Sequence, residues 1–216
     1  RLELRAPENT GRIFDSLVVE GQGGPGEPSA HMRARAGKRG LYLVDYRRSR
    51  AETYNFIPDF ANPLFENGSL AAPHGWDRAR TMDALEVTIL PERRVEGRFT
   101  YFRTRQEGLG LGTDVSSEGL VFGRALDNEA HEMRGGVSFR WPKWLLSVEQ
   151  GLRIYEDDER DAADPATVTD PDTLANFFRT RTTEATAPVS RAVFTARPVS
   201  RLSLTARAVY VDYDVA

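Results

Sequence analysis

Residues 134–158, RGGVSFRWPKWLLSVEQGLRIYEDD, contain two alternating runs separated by a proline. Large apolar residues recur at even intervals within each run: Val137, Phe139, Trp141, Val148, Leu152 and Ile154. Such a period of two predicts β-strands, because successive side chains of a strand point to opposite faces. Pro142 has no backbone N–H to donate to a sheet, so it belongs in the turn between the strands. The stretch therefore predicts a tight antiparallel hairpin with one apolar and one polar face.

Two kinds of protein use hairpins of this type. A soluble sheet turns its polar face to water, whereas a transmembrane β-barrel turns its apolar face to lipid and its polar face to a lumen. The choice between them depends on how the rest of the chain is organised.

Similar alternation recurs along the chain and predicts about 8–10 strands. The further runs cover residues 1–6, 13–20, 30–36, 41–50, 82–90, 95–103, 189–197 and 201–213. Tight turns near Lys38, Pro91, Pro142 and Pro198 follow at intervals of 53, 51 and 56 residues. We therefore expect an all-β fold, an antiparallel up-and-down meander occupying residues 1–216 as a single domain.

Long polar segments lie between these hairpins, and we expect outer loops near residues 53–80, 104–128 and 156–187. Short turns at one end and long loops at the other are typical of outer-membrane barrels. Most predicted strands cover about 9–13 residues, close to the roughly 9–11 that cross a bilayer. Because the chain starts without Met and stops inside an alternating run, we expect it to be a barrel fragment.

The polar side of the predicted strands is rich in arginine and glutamate. The candidates for lining a pore are Glu86, Glu96, Arg98, Arg134, Arg140, Glu149, Arg153 and Arg207. Charges facing a lumen can pair across strands and set ion selectivity. In a soluble sheet the same residues would form an ordinary solvated face with weak surface pairs.

Aromatic residues gather near the predicted strand ends. The candidates for a membrane-interface girdle are Trp141, Trp144, Tyr101, Tyr155 and Tyr210. Amphipathic rings are favoured at the level of the lipid headgroups. In a soluble sandwich these rings would belong to the core.

Composition argues against several other classes. The net charge is −3, which favours no nucleic-acid partner. No apolar run approaches the roughly 18 residues of a membrane helix. The absence of cysteine excludes disulfides and thiolate metal sites, and no metal or other cofactor is predicted.

Catalytic motifs are absent, and we expect the chain not to be an enzyme: GxSxG, HExxH and the P-loop do not occur. The acidic segment 156–172 offers carboxylates that could bind a divalent cation, although its spacing matches no EF-hand and also suits a solvated loop.

Two segments carry a resemblance to a known family. The segment LDNEAHEMRGGVSFRWPKWLLSVEQGLRIYEDD (126–158) resembles hairpins of large Gram-negative, porin-like outer-membrane barrels. The segment GLYLVDYRRSRAETYNFIPDFANPLF (40–65) resembles the strand and outer loop nearer the start of these barrels. The nearest kind is the MtrB/PioB barrels, which sheathe multihaem cytochromes in electron conduits. The resemblance implies location in the bacterial outer membrane and contact with the lipid bilayer.

The function implied by this resemblance is that of a barrel wall. The wall would act as a passive channel or as a scaffold for a partner such as a periplasmic or outer-surface multihaem cytochrome. No CxxCH haem-attachment motif occurs, so any haem would belong to another chain. The alternative is a soluble all-β binding module, such as a carbohydrate-binding sandwich.

Overall fold

The computed structural model describes residues 1–6, 11–24, 27–57, 74–114, 120–163 and 178–215. These residues form eleven strands and no helix. The strands are β1 (Leu2–Arg5), β2 (Ser16–Gln22), β3 (Ser29–Lys38), β4 (Tyr42–Ile57), β5 (His74–Ile89), β6 (Val95–Asp114), β7 (Leu120–Trp141), β8 (Trp144–Ala163), β9 (Phe178–Val199), β10 (Leu202–Val211) and β11 (Asp214–Val215).

All strands belong to one antiparallel sheet in which each strand pairs with its neighbour in sequence, from β1 to β10. The short β11 pairs with β9 beyond the end of β10. The sheet is not closed, because β1 pairs only with β2 and β10 only with β9. The predicted all-β, up-and-down meander is confirmed.

The strands are longer than the sequence predicted. Residues 53–57, 74–80, 104–114, 120–128, 156–163 and 178–187 were assigned to loops, but they extend β4 to β9. The remaining parts of those loops, 58–73, 115–119 and 164–177, lie outside the described residues. The predicted strands end where apolar alternation stops, but backbone pairing continues through segments that lack this alternation.

Four tight turns occupy one end of the sheet, as predicted. They consist of residues 39–41, 90–94, 142–143 and 200–201. Two other connections do not follow the expected pattern of short turns at one end of the sheet and long loops at the other. Ten residues link β1 to β2 at this same end, and only five residues separate β6 from β7 at the opposite end.

The four turns are displaced stepwise along the strand direction. One row of paired residues crosses the sheet through Tyr42, Ile89, Gly97, Val137, Val148, Ala192 and Ala208. The first residues after the turns are Tyr42, Val95, Trp144 and Leu202. Along their own strands, these residues lie 0, 2, 4 and 6 positions before the residue that belongs to that row. The sheet is thus sheared by about one residue per strand.

No second layer covers the sheet in the described part of the chain. Ala187 is the one buried hydrophobic residue there, and the buried polar or charged residues are Asp45, Asp83, Thr88 and Asp161. A soluble sandwich would bury one face of each sheet against another sheet. Here a whole apolar face is left exposed.

The described residues contain no helix that is long and apolar enough to span a membrane.

Candidate functional site

The register divides the sheet into two continuous faces. Val87, Phe99 and Val148 lie on one face, which we call the apolar face. Arg98, Glu149 and Arg153 lie on the other, which we call the charged face, because each directly adjoins a residue of the apolar face along its strand. The separation expected from the alternation of the sequence is therefore present.

All eight predicted pore-lining residues lie on the charged face. Glu86 pairs with Thr100, which pairs with Arg134, and Arg98 pairs with Gly136, which pairs with Glu149. The others occupy the same rows or adjacent ones: Glu96, Arg140, Arg153 and Arg207. The structure thus gathers onto one surface residues that are spread over more than 120 positions in sequence.

Ion pairs connect many of these residues across strands. Glu96 lies 3.5 Å from Arg98 and 3.8 Å from Arg140, and Arg98 also reaches Glu86 at 3.7 Å. Glu96 is the second residue of β6 and Arg140 the second-last residue of β7, so their contact joins two strand ends on the same side of the sheet.

A second chain of pairs lies on β7 and β8. Arg134 contacts Glu132 on its own strand and Glu149 at 3.5 Å on β8. Arg153 donates to Glu132 from Nε and Nη2 at 2.9 and 2.7 Å. These charges compensate each other locally, as charged residues facing a lumen can do by pairing across strands.

One cluster of ion pairs on the charged face is not predicted from the sequence. Arg33, Arg35 and Arg47 all donate to the buried carboxylate of Asp45 through Nε and Nη2, at 2.6–3.3 Å. We call these four residues the Asp45 cluster. Alternation of Arg33, Arg35, Asp45 and Arg47 indicated a shared face, but only the pairing of Arg35 with Asp45 and Arg33 with Arg47 brings them into contact.

The apolar face carries a band of hydrophobic side chains that begins at the tight turns. On β8 it runs from Trp144 to Ile154, 11 residues or roughly 35 Å along the strand. On β4 and β5 it is narrower, from Tyr42 to Tyr46 and from Leu85 to Ile89. The band therefore reaches bilayer-crossing length on β8 but not on β4 or β5.

Four of the five predicted interface aromatics lie on the apolar face. Trp141 and Trp144 stack across the β7–β8 turn with ring centroids 4.4 Å apart. Tyr101 lies at the upper limit of the band, where its hydroxyl is 2.9 Å from His131 Nδ1. Tyr210 is exposed on β10 in the row of Phe99.

Tyr155 is a correction to that prediction. It pairs with Ala130 and Ala185 on the charged face, so its ring points away from the apolar band. The sequence suggested an interface role because Tyr155 follows the alternating run, but it directly follows Ile154, which has the apolar orientation.

One polar pair sits inside the apolar band. Gln150 and Ser190 are cross-strand partners, and the Ser190 hydroxyl donates to Gln150 Oε1 at 2.6 Å. Each thereby satisfies part of the other's hydrogen-bonding capacity.

Beyond the apolar band the strands continue as a two-sided charged extension. On the apolar-face side, Arg105 binds Asp127 through two hydrogen bonds of 3.0 Å, and Arg103 binds Glu129 at 2.6 Å. These guanidinium groups lower the pKa of Asp127 and Glu129. Charge on both faces suits a part of the sheet that stands in water.

Asp161 anchors the opposite side of this extension. Burial opposes ionisation of its carboxyl group, but hydrogen bonds from Arg124 at 2.8 Å and from Arg179 prevail, so the pKa of Asp161 is lowered. Its side chain is almost fully buried. The contact ties β7, β8 and β9 together.

The acidic segment 156–172 is only partly described. Residues 156–163 are strand rather than loop, and residues 164–172 lie outside the described part of the chain. Among the described residues no group of three or more His, Asp or Glu side chains is arranged to hold a metal ion.

Comparison with protein-family models, curated proteins and solved structures found no match to this chain. The all-antiparallel meander is consistent with a β-barrel-like protein.

Proposed function

We propose that the chain forms the wall of a porin-like β-barrel in the bacterial outer membrane and acts as a passive channel. In this arrangement the apolar face contacts the lipid bilayer and the charged face lines an aqueous lumen. The wall would be completed by strand pairing at the two edges of the sheet, β1 and β10.

The observation that supports this proposal most strongly is the uncovered apolar band. Its exposed members include Phe99, Val137, Val148, Phe194 and Leu204, which lie on neighbouring strands of one face. Monomeric soluble proteins rarely expose so large a contiguous apolar surface. Moving this apolar surface from water into lipid would lower the free energy by about 25 cal/mol for each Å² that is buried.

The opposite face supports the same orientation. A charged residue on the lipid side of a barrel costs about 2–4 kcal/mol near the bilayer midplane. Arg98, Glu149 and Arg153 avoid that cost only if the charged face is turned to water.

The proposal is tested by refolding the chain with and without lipid vesicles. We expect a folded, vesicle-bound form that resists protease and migrates differently in gels before and after heating. The variant Trp76→Phe leaves Trp141 and Trp144 as the fluorophores. We expect their emission to be quenched most strongly by lipids brominated close to the headgroups, because amphipathic rings favour that level.

The competing soluble binding module predicts the reverse. A chain that folds to a monomer in buffer alone, with tryptophan emission unaffected by brominated vesicles, would rule out the barrel wall.

A further inference from the structure

The charged face carries more positive than negative charge. Five successive rows of this face, at the level of the apolar band, contain ten arginines and seven carboxylates, which leaves a net charge of +3. The arginines are Arg5, Arg33, Arg35, Arg47, Arg98, Arg134, Arg140, Arg153, Arg191 and Arg207, and the carboxylates are Glu3, Glu20, Asp45, Glu86, Glu96, Glu132 and Glu149.

This excess is a property of the surface and not of the composition. The whole chain has a net charge of −3, so its remaining residues together carry −6. Positive charge is thus concentrated where the sheet would face a lumen, while acidic residues predominate elsewhere.

The Asp45 cluster is one source of the excess. One carboxylate binds three guanidinium groups. Two other acids lie on the same rows: Glu20 is the cross-strand partner of Arg33, and Glu86, the cross-strand partner of Asp45, lies 3.7 Å from Arg98. Each arginine uses its Nε and Nη2 groups for Asp45 and makes no hydrogen bond from Nη1 within the described residues. The side chains of Arg35 and Arg47 remain about half exposed.

This geometry suits a bound anion. Asp45 holds the guanidinium planes in place, so little side-chain freedom is lost when a second acceptor arrives. The outward N–H groups can donate to a phosphate or carboxylate by charge-assisted hydrogen bonds.

Arg191 and Arg207 are the second source. Both are exposed on the charged face, diagonally opposite each other on β9 and β10. Neither forms an ion pair with another described residue. Their charges therefore remain available to solute in a lumen.

We propose that this face makes the channel selective for small anions, with the Asp45 cluster as a transit site for phosphate or carboxylate groups. The inference rests on the proposed channel function and specifies its solute class. Clustered Arg or Lys residues in a pore favour anions, as clustered Asp or Glu residues favour cations.

The test is the reversal potential of the full chain reconstituted in planar bilayers under a KCl gradient. We expect chloride to permeate at least about twofold better than potassium. In the double variant Arg191→Glu and Arg207→Glu the face changes from +3 to −1, and we expect the sign of the reversal potential to invert. The control variant Arg160→Glu alters an exposed arginine of the charged extension on the side of the apolar face, and it should leave the reversal potential unchanged.

The transit site is tested separately with inorganic phosphate. Phosphate should reduce the chloride current, and Arg47→Gln should raise the half-inhibiting concentration by roughly threefold or more, since one of three donors to the anion is lost. Channels that prefer potassium, or that respond equally to the lumenal and control variants, would overturn the inference but leave the channel standing. Equal phosphate inhibition of the Arg47→Gln variant would refute the transit site alone, and vesicles with no conductance would refute the proposed function itself.

Discussion

Val148 and Ser147 are neighbours in sequence but point to opposite faces of β8. Val148 occupies the middle of the apolar band, and Ser147 bonds Ser138 on the charged face at 2.8 Å. We expect Val148→Arg to lower the free energy of unfolding in vesicles by about 2–4 kcal/mol, because the charge enters the bilayer midplane. Ser147→Arg should cost only about 1 kcal/mol, the value of the lost hydrogen bond.

Denaturant titration of both variants in lipid vesicles measures this difference. If the sheet stood uncovered in water, both side chains would be solvated and the two substitutions would cost similar amounts. Equal losses would therefore contradict the assignment of the apolar face to lipid.

Asp161 predicts how the charged extension responds to acid. Its pKa is lowered in the folded state, so the unfolded state binds a proton more readily and ionised Asp161 stabilises the fold. That contribution is fully present above the ordinary carboxyl pKa of about 3.9 and is lost as the pH falls through the lower folded value.

Hydrogen exchange of the amides of β8 and β9 near Asp161 reports this loss. We expect protection to fall below about pH 4 in the native chain. In Asp161→Asn protection should already be lower at pH 7 and should depend less on pH in this range. An unchanged pH profile in that variant would show that Asp161 does not control the local stability.

The β5–β6 turn places two residues other than glycine in a backbone conformation that favours glycine. Leu90 and Glu92 both have positive φ angles, of 53° and 64°. Side chains cost about 1–2 kcal/mol in this region, whereas glycine enters it freely. We expect Glu92→Gly to raise the free energy of unfolding by roughly 0.5–1 kcal/mol, since the backbone N–H that bonds Glu96 is retained.

Arg93→Gly is the matched control for that turn. Arg93 is not among the residues with positive φ, so glycine there adds only flexibility to the unfolded chain and should cost about 0.5–1 kcal/mol. Thermal unfolding in the same detergent compares the two variants. A loss of similar size in both would mean that the turn is not strained at Glu92.

Strand identity could be predicted from the sequence at the elements where one face is apolar. The prediction of strands from Val137 to Trp141 and on to Ile154 after the turn is confirmed. Alternation there reflects two different environments on the two faces of the sheet. Strand ends could not be predicted in the same way. From Arg103 on β6 and before His131 on β7 neither face is continuously apolar, so no apolar periodicity distinguishes a strand from a loop.

The charged face could be predicted only as a set of residues. Odd or even position along its strand assigns each of Arg98 and Glu149 to a face. The residues beside them on neighbouring strands depend on the pairing register, which the sequence does not specify. The Asp45 cluster illustrates this limit, since its members come from β3 and β4 and meet only through the observed pairing. Tyr155 shows a second limit: the end of the apolar alternation predicts its position along the chain but not the face that it occupies.

At the scale of the whole molecule the shear of the sheet predicts the orientation of the strands in a membrane. A shift of about one residue, or roughly 3.3 Å, per strand spacing of roughly 4.8 Å corresponds to a strand tilt of about 35°. Transmembrane barrels have tilts of about 35–45°. The turns at residues 39–41, 90–94, 142–143 and 200–201 would then lie at one level, because the tilt cancels their stepwise displacement.

Polarised infrared spectroscopy of the chain in oriented bilayers measures this tilt from the dichroism of the amide I band. We expect strand axes inclined by about 35° to the membrane normal, since the shear is built into the backbone pairing and is independent of any partner. A sheet adsorbed on the membrane through its apolar face would instead have its strands nearly parallel to the bilayer plane. That result would assign the apolar band to surface attachment, and the charged face could no longer line a pore.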